Sequence, residues 1–139
     1  MRSYFNDPGV ALLNSFSTNR STSSSSYVEL KSEIRIEFLV WSGEIIQLFS
    51  SGQADTGANG TNYTSIGIDG AVAEDVFAAG GIGGTAGGVN AGVPLVKSGL
   101  SEGYHYATLV GKVNSGTGLW EGSNTPGTRC TLAGYAKLN

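Results

Sequence analysis

The feature that most limits what this chain can fold into is residues 33–40. There Ile34, Ile36, Phe38 and Val40 alternate with Glu33, Arg35, Glu37 and Leu39. A period of two puts successive side chains on opposite faces of an extended backbone, one face buried and one wet. The period recurs through the chain. Ile46 and Leu48 share a face in residues 44–50, and Ile66 and Ile68 in residues 63–69. Residues 104–113 place Tyr104, Tyr106, Thr108 and Val110 on one face and His105, Ala107, Leu109 and Val113 on the other. Gly43, Asp69-Gly70, Ser101-Glu102-Gly103 and residues 114–118 break these runs, and Asp69-Gly70 predicts a two-residue hairpin returning through Ala71, Val72 and Ala73. Shorter strands are predicted at 93–98 and at Leu119 and Trp120, with a last strand at 128–138. Residues 52–60, 78–92 and 123–127 read as loops, the second unusually long for a structureless connection. Seven or eight short strands with turns every ten residues or so predict an all-β fold: a single antiparallel β-sandwich of the jelly-roll type.

The first 26 residues read differently. Tyr4, Phe5, Val10, Leu12, Leu13 and Phe16 are apolar without a strand period, and Asp7 followed by Pro8 fits the start of a short helical turn over 8–14. Residues 17–26 contain nothing but Ser, Thr, Asn and Arg, the composition of a flexible tether. The expected organisation is an N-terminal arm and Ser-rich tether at 1–26 and a β-sandwich at 27–139. An apolar piece on a tether predicts an extended arm that docks on another subunit through Tyr4, Phe5, Leu12, Leu13 and Phe16. The competing expectation is an arm packed on its own domain.

A length of 139 residues gives one domain room for a core. Only 14% of residues are charged, against about 25% in ordinary soluble proteins, which suits a surface partly covered by neighbouring subunits. With a net charge of −3 and eight scattered Lys and Arg, no basic stripe is offered to nucleic acid. No apolar run approaches the roughly 18 residues that cross a membrane, and the N-terminus has no secretory h-region, so synthesis in a cytosol is expected.

Catalytic and metal-binding patterns are sparse. His105 is the only histidine, so a Ser-His-Asp triad has to use it, yet it sits inside a patterned strand between two tyrosines and no Gly-x-Ser-x-Gly elbow occurs. Cys130 is the only cysteine, and its apolar surroundings predict a buried, inert thiol. One Cys and one His fall short of a zinc site. The stretch Asp55-Thr56-Gly57-Ala58-Asn59-Gly60 has the wrong third and twelfth positions for a calcium loop, and Gly81-Ile82-Gly83-Gly84-Thr85-Ala86 lacks the βαβ context of a dinucleotide fingerprint. Neither a metal nor a cofactor is expected, and the acidic residues read as solvated loop charges. Tyr27, Trp41, Tyr63, Tyr104, Tyr106, Trp120 and Tyr135 fall at strands or strand ends, as core or interface anchors.

Taken in order, these signals resemble the small jelly-roll proteins of tailed-phage virions, similar in fold to tumour-necrosis-factor and C1q heads. The likeness covers residues 21–138. It rests on the Ser/Thr lead into Tyr27-Val28-Glu29-Leu30, the hairpin Ile66-Gly67-Ile68-Asp69-Gly70, and Leu100-Ser101-Glu102-Gly103-Tyr104-His105 opening a long strand. The Ser/Gly turn at 114–118 and a last strand carrying Arg129, Thr131 and Leu132 complete it. The Gly-rich insert 80–92 and the broken segment 119–127 depart from the pattern. The resemblance implies a capsid decoration (cement) protein on the virion exterior, a homotrimer that binds the major capsid protein through its arm and is not an enzyme. The alternative it implies is a head-fibre or tail receptor-binding domain that recognises a host glycan or protein.

Overall fold

In the computed structural model, residues 10–56, 60–80, 89–122 and 128–138 are described. They form β1 (Val10–Ser15), β2 (Arg20–Thr22), β3 (Val28–Glu29), β4 (Ile36–Val40), β5 (Glu44–Ser51), β6 (Gln53–Thr56) and β7 (Asn62–Ile68). Then follow β8 (Ala73–Gly80), β9 (Val89–Asn90), β10 (Pro94–Lys97), β11 (Gly103–Val113), β12 (Gly118–Trp120) and β13 (Thr131–Leu138). A 3-10 turn, Ser32–Ile34, precedes β4.

All pairings are antiparallel, and the strand orders are β1-β13-β5-β10, β2-β12-β6-β9 and β3-β11-β7-β8, with β4 also on β11. The first two orders are one pattern repeated. β5 continues into β6 through Gly52, β1 leads to β2, β9 to β10 and β12 to β13. Main-chain bonds knit the join, among them Phe16 N–H to Cys130 O (3.2 Å) and Ala91 N–H to Gly52 O (2.9 Å). Read as eight runs in chain order, one layer is 1-8-3-6 and the other 2-7-4-5. This is the jelly-roll order, and the two antiparallel layers pack as a sandwich.

Alternation explains the packing. Along β5 the even positions Glu44, Ile46, Leu48 and Ser50 are buried, and along β4 Ile36, Phe38 and Val40. These meet Phe16, Ile66, Leu109, Trp120 and Leu132 between the layers. Ile34 is fully buried but belongs to the 3-10 turn, not to the strand.

The N-terminal expectations are corrected here. Residues 10–14 are strand, not helical turn: β1 pairs with β13 from Val10 opposite Ala136 to Ser15 opposite Thr131. Phe16 lies in the core at 0% exposure, and Leu12 packs against it. The alternation of β1 is hidden in the sequence because an inward position is Asn14. Its amide is satisfied by the carbonyls of Glu33 (2.7 Å) and Arg35 (3.0 Å), so a polar side chain serves as a clasp between layers.

Nor is the Ser-rich stretch a tether. β2 pairs with β12, Arg20 ion-pairs with Glu33, Asn19 Oδ1 accepts from Gly122 N–H (2.8 Å) and Ser24 O from Val113 N–H (2.9 Å). From residue 10 onward the boundary at 26/27 does not exist. Other loops are also shorter than predicted: β6 occupies 53–56, β8 runs to Gly80 and β9 begins at Val89. The Asp69-Gly70 turn is wider than two residues, because the last paired residues are Gly67 and Ala73.

Candidate interaction surface

The outward face of the β1-β13-β5-β10 sheet carries two rows of side chains. Register sets Leu13, Ala133, Phe49 and Pro94 side by side in one row and Ala11, Tyr135, Gln47 and Val96 in the next. None is charged. Leu13 is 75% exposed, Val96 66%, Phe49 53% and Tyr135 39%. Tyr135 Oη donates to Gln47 Oε1 at 2.5 Å, so these two polar groups are paired with each other. Four strands about 4.8 Å apart and two outward positions along each make an apolar field on the order of 250 Å². That is below the largest patch an ordinary monomer shows, about 300–600 Å², so its area alone does not mark a contact site. It is also well under the roughly 800 Å² that each partner buries in a standard stable interface.

The opposite outer face is chemically different. Arg35 lies 4.2 Å from the centre of the Tyr106 ring, and Lys112 sits over Tyr27 (4.7 Å) and Tyr63 (5.0 Å). Arg35 forms a two-point ion pair with Glu29 (2.6 and 2.7 Å), to which Thr108 Oγ1 also donates. The guanidinium holds the Glu29 carboxyl below the usual carboxylate range. Charges here are spent on one another across the sheet, while the first face has none to spend.

One constellation tests the catalytic reading. The turn after β7 brings Asp69 and the turn before β11 brings Ser101 to His105. Asp69 Oδ2 is 2.5 Å from His105 Nδ1, and Asp69 Oδ1 accepts from Tyr106 N–H at 3.0 Å. His105 Nε2 is 2.8 Å from the Ser101 carbonyl and 3.4 Å from Ser101 Oγ. A carbonyl only accepts, so Nε2 carries its hydrogen, and a carboxylate on Nδ1 favours a second. The imidazole is thus held as a double donor and has no free lone pair to take the Ser101 hydroxyl proton. It joins two turns at one end of the sandwich. The Asp69 bond raises the His105 pKa above its ordinary value against the opposing effect of burial, with help from the Ser101 carbonyl.

A raised folded-state value gives a definite sign. The clasp contributes fully below the unfolded histidine value of about 6.5 and is lost as pH rises through the folded value. The expected result is a gap in melting temperature between wild type and His105→Gln that is widest in acid and narrows toward alkaline pH. Thermal denaturation from pH 5 to 9 measures it, and a gap that widens with pH contradicts the double-donor arrangement.

Cys130 is buried, its thiol pushed up to about 12 by desolvation, and its Sγ–H donates to Gln53 O at 3.3 Å. It lies in the layer opposite His105. Among the described residues no three His, Cys, Asp or Glu side chains cluster as a metal site, and no helix is long and apolar enough to cross a membrane. Residues 57–59 of the Asp55–Gly60 stretch and residues 81–86 of the glycine motif lie outside the described residues.

Of the five side chains predicted to grip a partner, the structure places three. Leu13 is on the apolar face, Leu12 faces inward and is half-buried, and Phe16 is committed to the core, where it is unavailable to any partner. Tyr4 and Phe5 lie outside the described residues. Phe49 and Val96 were not predicted as contact residues, and Tyr135 only as a core or interface anchor. Their signal was present as large apolar side chains on the solvent phase of period-two strands.

The fold is an all-β sandwich of two antiparallel layers, one of whose outer faces is uncharged along the two rows of β1, β13, β5 and β10. No family model matches the sequence, and no curated protein does. Among solved structures, a chain from the structure of infectious bursal disease virus Gt strain is similar over 96% of this chain at 12% identity, with a TM-score of 0.46. The present chain spans 38% of that viral chain's length.

Proposed function

We propose that this protein is a structural subunit of a virion, of the capsid decoration type, which binds shell proteins through the outer face of the β1-β13-β5-β10 sheet. The observation that carries the reading is the uncharged double row of Leu13, Ala133, Phe49, Pro94, Ala11, Tyr135, Gln47 and Val96. Burying large exposed side chains there gains roughly 1.5–3 kcal/mol each before ordering costs. Tyr4 and Phe5, which precede β1 in the sequence, are included in the proposed contact. The protein acts by holding neighbouring shell subunits together, without catalysis.

The test is saturable binding to shells assembled without this protein. Phe49→Lys and Val96→Lys are expected to weaken binding at least tenfold with no change in melting temperature. Deleting residues 1–9 is expected to weaken it while leaving β1 and Phe16 in place. Full binding by both lysine variants contradicts the reading. A second reading is favoured by the tyrosine-lined opposite face, where Tyr27, Tyr63, Tyr104 and Tyr106 suit recognition of a host glycan or protein by a fibre tip. Binding to host cells that is lost on Tyr104→Ala and indifferent to Val96→Lys supports that one.

A further inference from the structure

We propose that two copies of this chain pair through the free edge of β1, antiparallel about Leu12, to make one continuous eight-stranded sheet. Among the described residues β1 is an outer strand, bonded to β13 on one side only. Phe16 N–H bonds to Cys130 O, so by alternation the even residues of β1 face β13 and the odd ones face away. Of the odd residues, Ser15 has its N–H taken by the Asn14 side chain at 2.8 Å. Among the described residues, nothing pairs with the N–H and C=O groups that Ala11 and Leu13 present along the edge.

Edge strands normally carry a charge or a proline that blocks pairing. β10 has Pro94 and Lys97, β8 has Glu74 and Asp75, β3 and β4 have Glu29 and Glu37, and β2 has Arg20. β1, Val-Ala-Leu-Leu-Asn-Ser, has neither and is the longest edge segment without them.

The side chains select the partner and the register. Paired residues share a face, so a twofold pairing must be centred on a residue. Centring on Leu12 sets Ala11 opposite Leu13 of the second copy, and each such pair exchanges two main-chain hydrogen bonds. The outward rows then run on without a break, from Pro94, Phe49, Ala133 and Leu13 into the second copy's Ala11, Tyr135, Gln47 and Val96. On the inward side Leu12, half-buried at the sheet margin, meets its own copy. A second copy is thus the occupant that matches both the hydrogen-bond pattern and the apolar rows. This pairing does not depend on the virion reading, because it is measured with the protein alone.

Sedimentation of the full chain tests it. Wild type is expected to be a dimer at tens of micromolar. Ala11→Pro removes an outward donor that the β13 ladder does not use, and Leu13→Lys puts charge on the junction. Both are expected to weaken dimerisation at least tenfold, with circular dichroism unchanged and with a melting temperature equal to that of wild type once wild type is diluted to monomer. A mixture of Ala11→Cys and Leu13→Cys proteins is expected to form a disulfide on mild oxidation, because opposed Cα atoms about 5.5 Å apart suit one. Leu13→Cys alone is not expected to do so, being offset by two residues and more than about 7 Å from its copy. A monomeric wild type at such concentrations, a trimer indifferent to Ala11→Pro, or cross-linking of Leu13→Cys alone in preference to the mixture overturns the proposal.

Discussion

Trp120→Ala is expected to cost about 3–5 kcal/mol, the range for truncating a buried aromatic, out of a total stability of order 5–15 kcal/mol. Trp120 is the largest fully buried side chain of the core. Two glycines form its slot: a Cβ on Gly111 would stand 2.6 Å from the indole Cζ2, and one on Gly118 2.9 Å from Cη2. Main chain therefore lines the ring on both sides and does not collapse into the void as side chains can. The indole N–H donates to Thr64 Oγ1 at 2.8 Å, so the truncation also leaves a buried hydroxyl short of a partner. Urea denaturation followed by far-ultraviolet circular dichroism measures the loss. Trp120→Phe is expected to recover part of it by refilling the slot without the hydrogen bond. A loss below about 1 kcal/mol for Trp120→Ala contradicts this account of the core.

Gly52→Ala is expected to prevent folding, because backbone strain and a main-chain clash coincide there. Gly52 joins β5 to β6 at φ +125, a backbone conformation that side chains rarely tolerate and whose strain alone costs of order 1–3 kcal/mol. An added Cβ would meet Cys130 Cα at 2.5 Å, Cys130 N at 2.7 Å and Arg129 O at 2.8 Å, all main chain. Relief requires the strand around Gly52 to part from residues 128–130, which breaks the Gln53 N–H to Thr128 O bond (2.8 Å) and uncovers Cys130. Gly43→Ala is the control, since Gly43 also has a positive φ (+83) but nothing lies within 4 Å of its Cβ position. The expected result is a cooperative melt for Gly43→Ala, lowered by a few degrees, and no folded soluble protein for Gly52→Ala. Equal effects of the two changes would show that φ alone governs Gly52 and that the close approach to Cys130 is not rigid.

The strands legible in the sequence were those in which alternation survives intact. Residues 36–40, 44–51, 62–68 and 103–113 stand where period two puts them, because each carries alternating apolar residues on its inward phase, even where Glu44, Ser50, Asn62, Thr64 and His105 share that phase. β1 was illegible for one reason, the inward Asn14, whose partners are carbonyls about 20 positions away. β2 and the segment around it were illegible for a related reason. Their Ser, Asn and Arg groups bond to Glu33, Gly122 and Val113, and composition alone cannot distinguish polar groups bonded to the fold from those bonded to water.

The contact surface divides in the same way. That Phe49, Val96 and Tyr135 lie on the solvent phase of their strands is fixed by parity, a local property of the backbone. That they become neighbours of Leu13, and that the edge beside Leu13 is open, depends on β13 pairing with both β1 and β5. Alternation determined an all-β sandwich and which residues face outward. Only the long-range register of strands more than 80 residues apart, as with Phe49 and Ala133, decided which outward residues form one surface, because cross-strand neighbours are set by pairing and not by sequence distance.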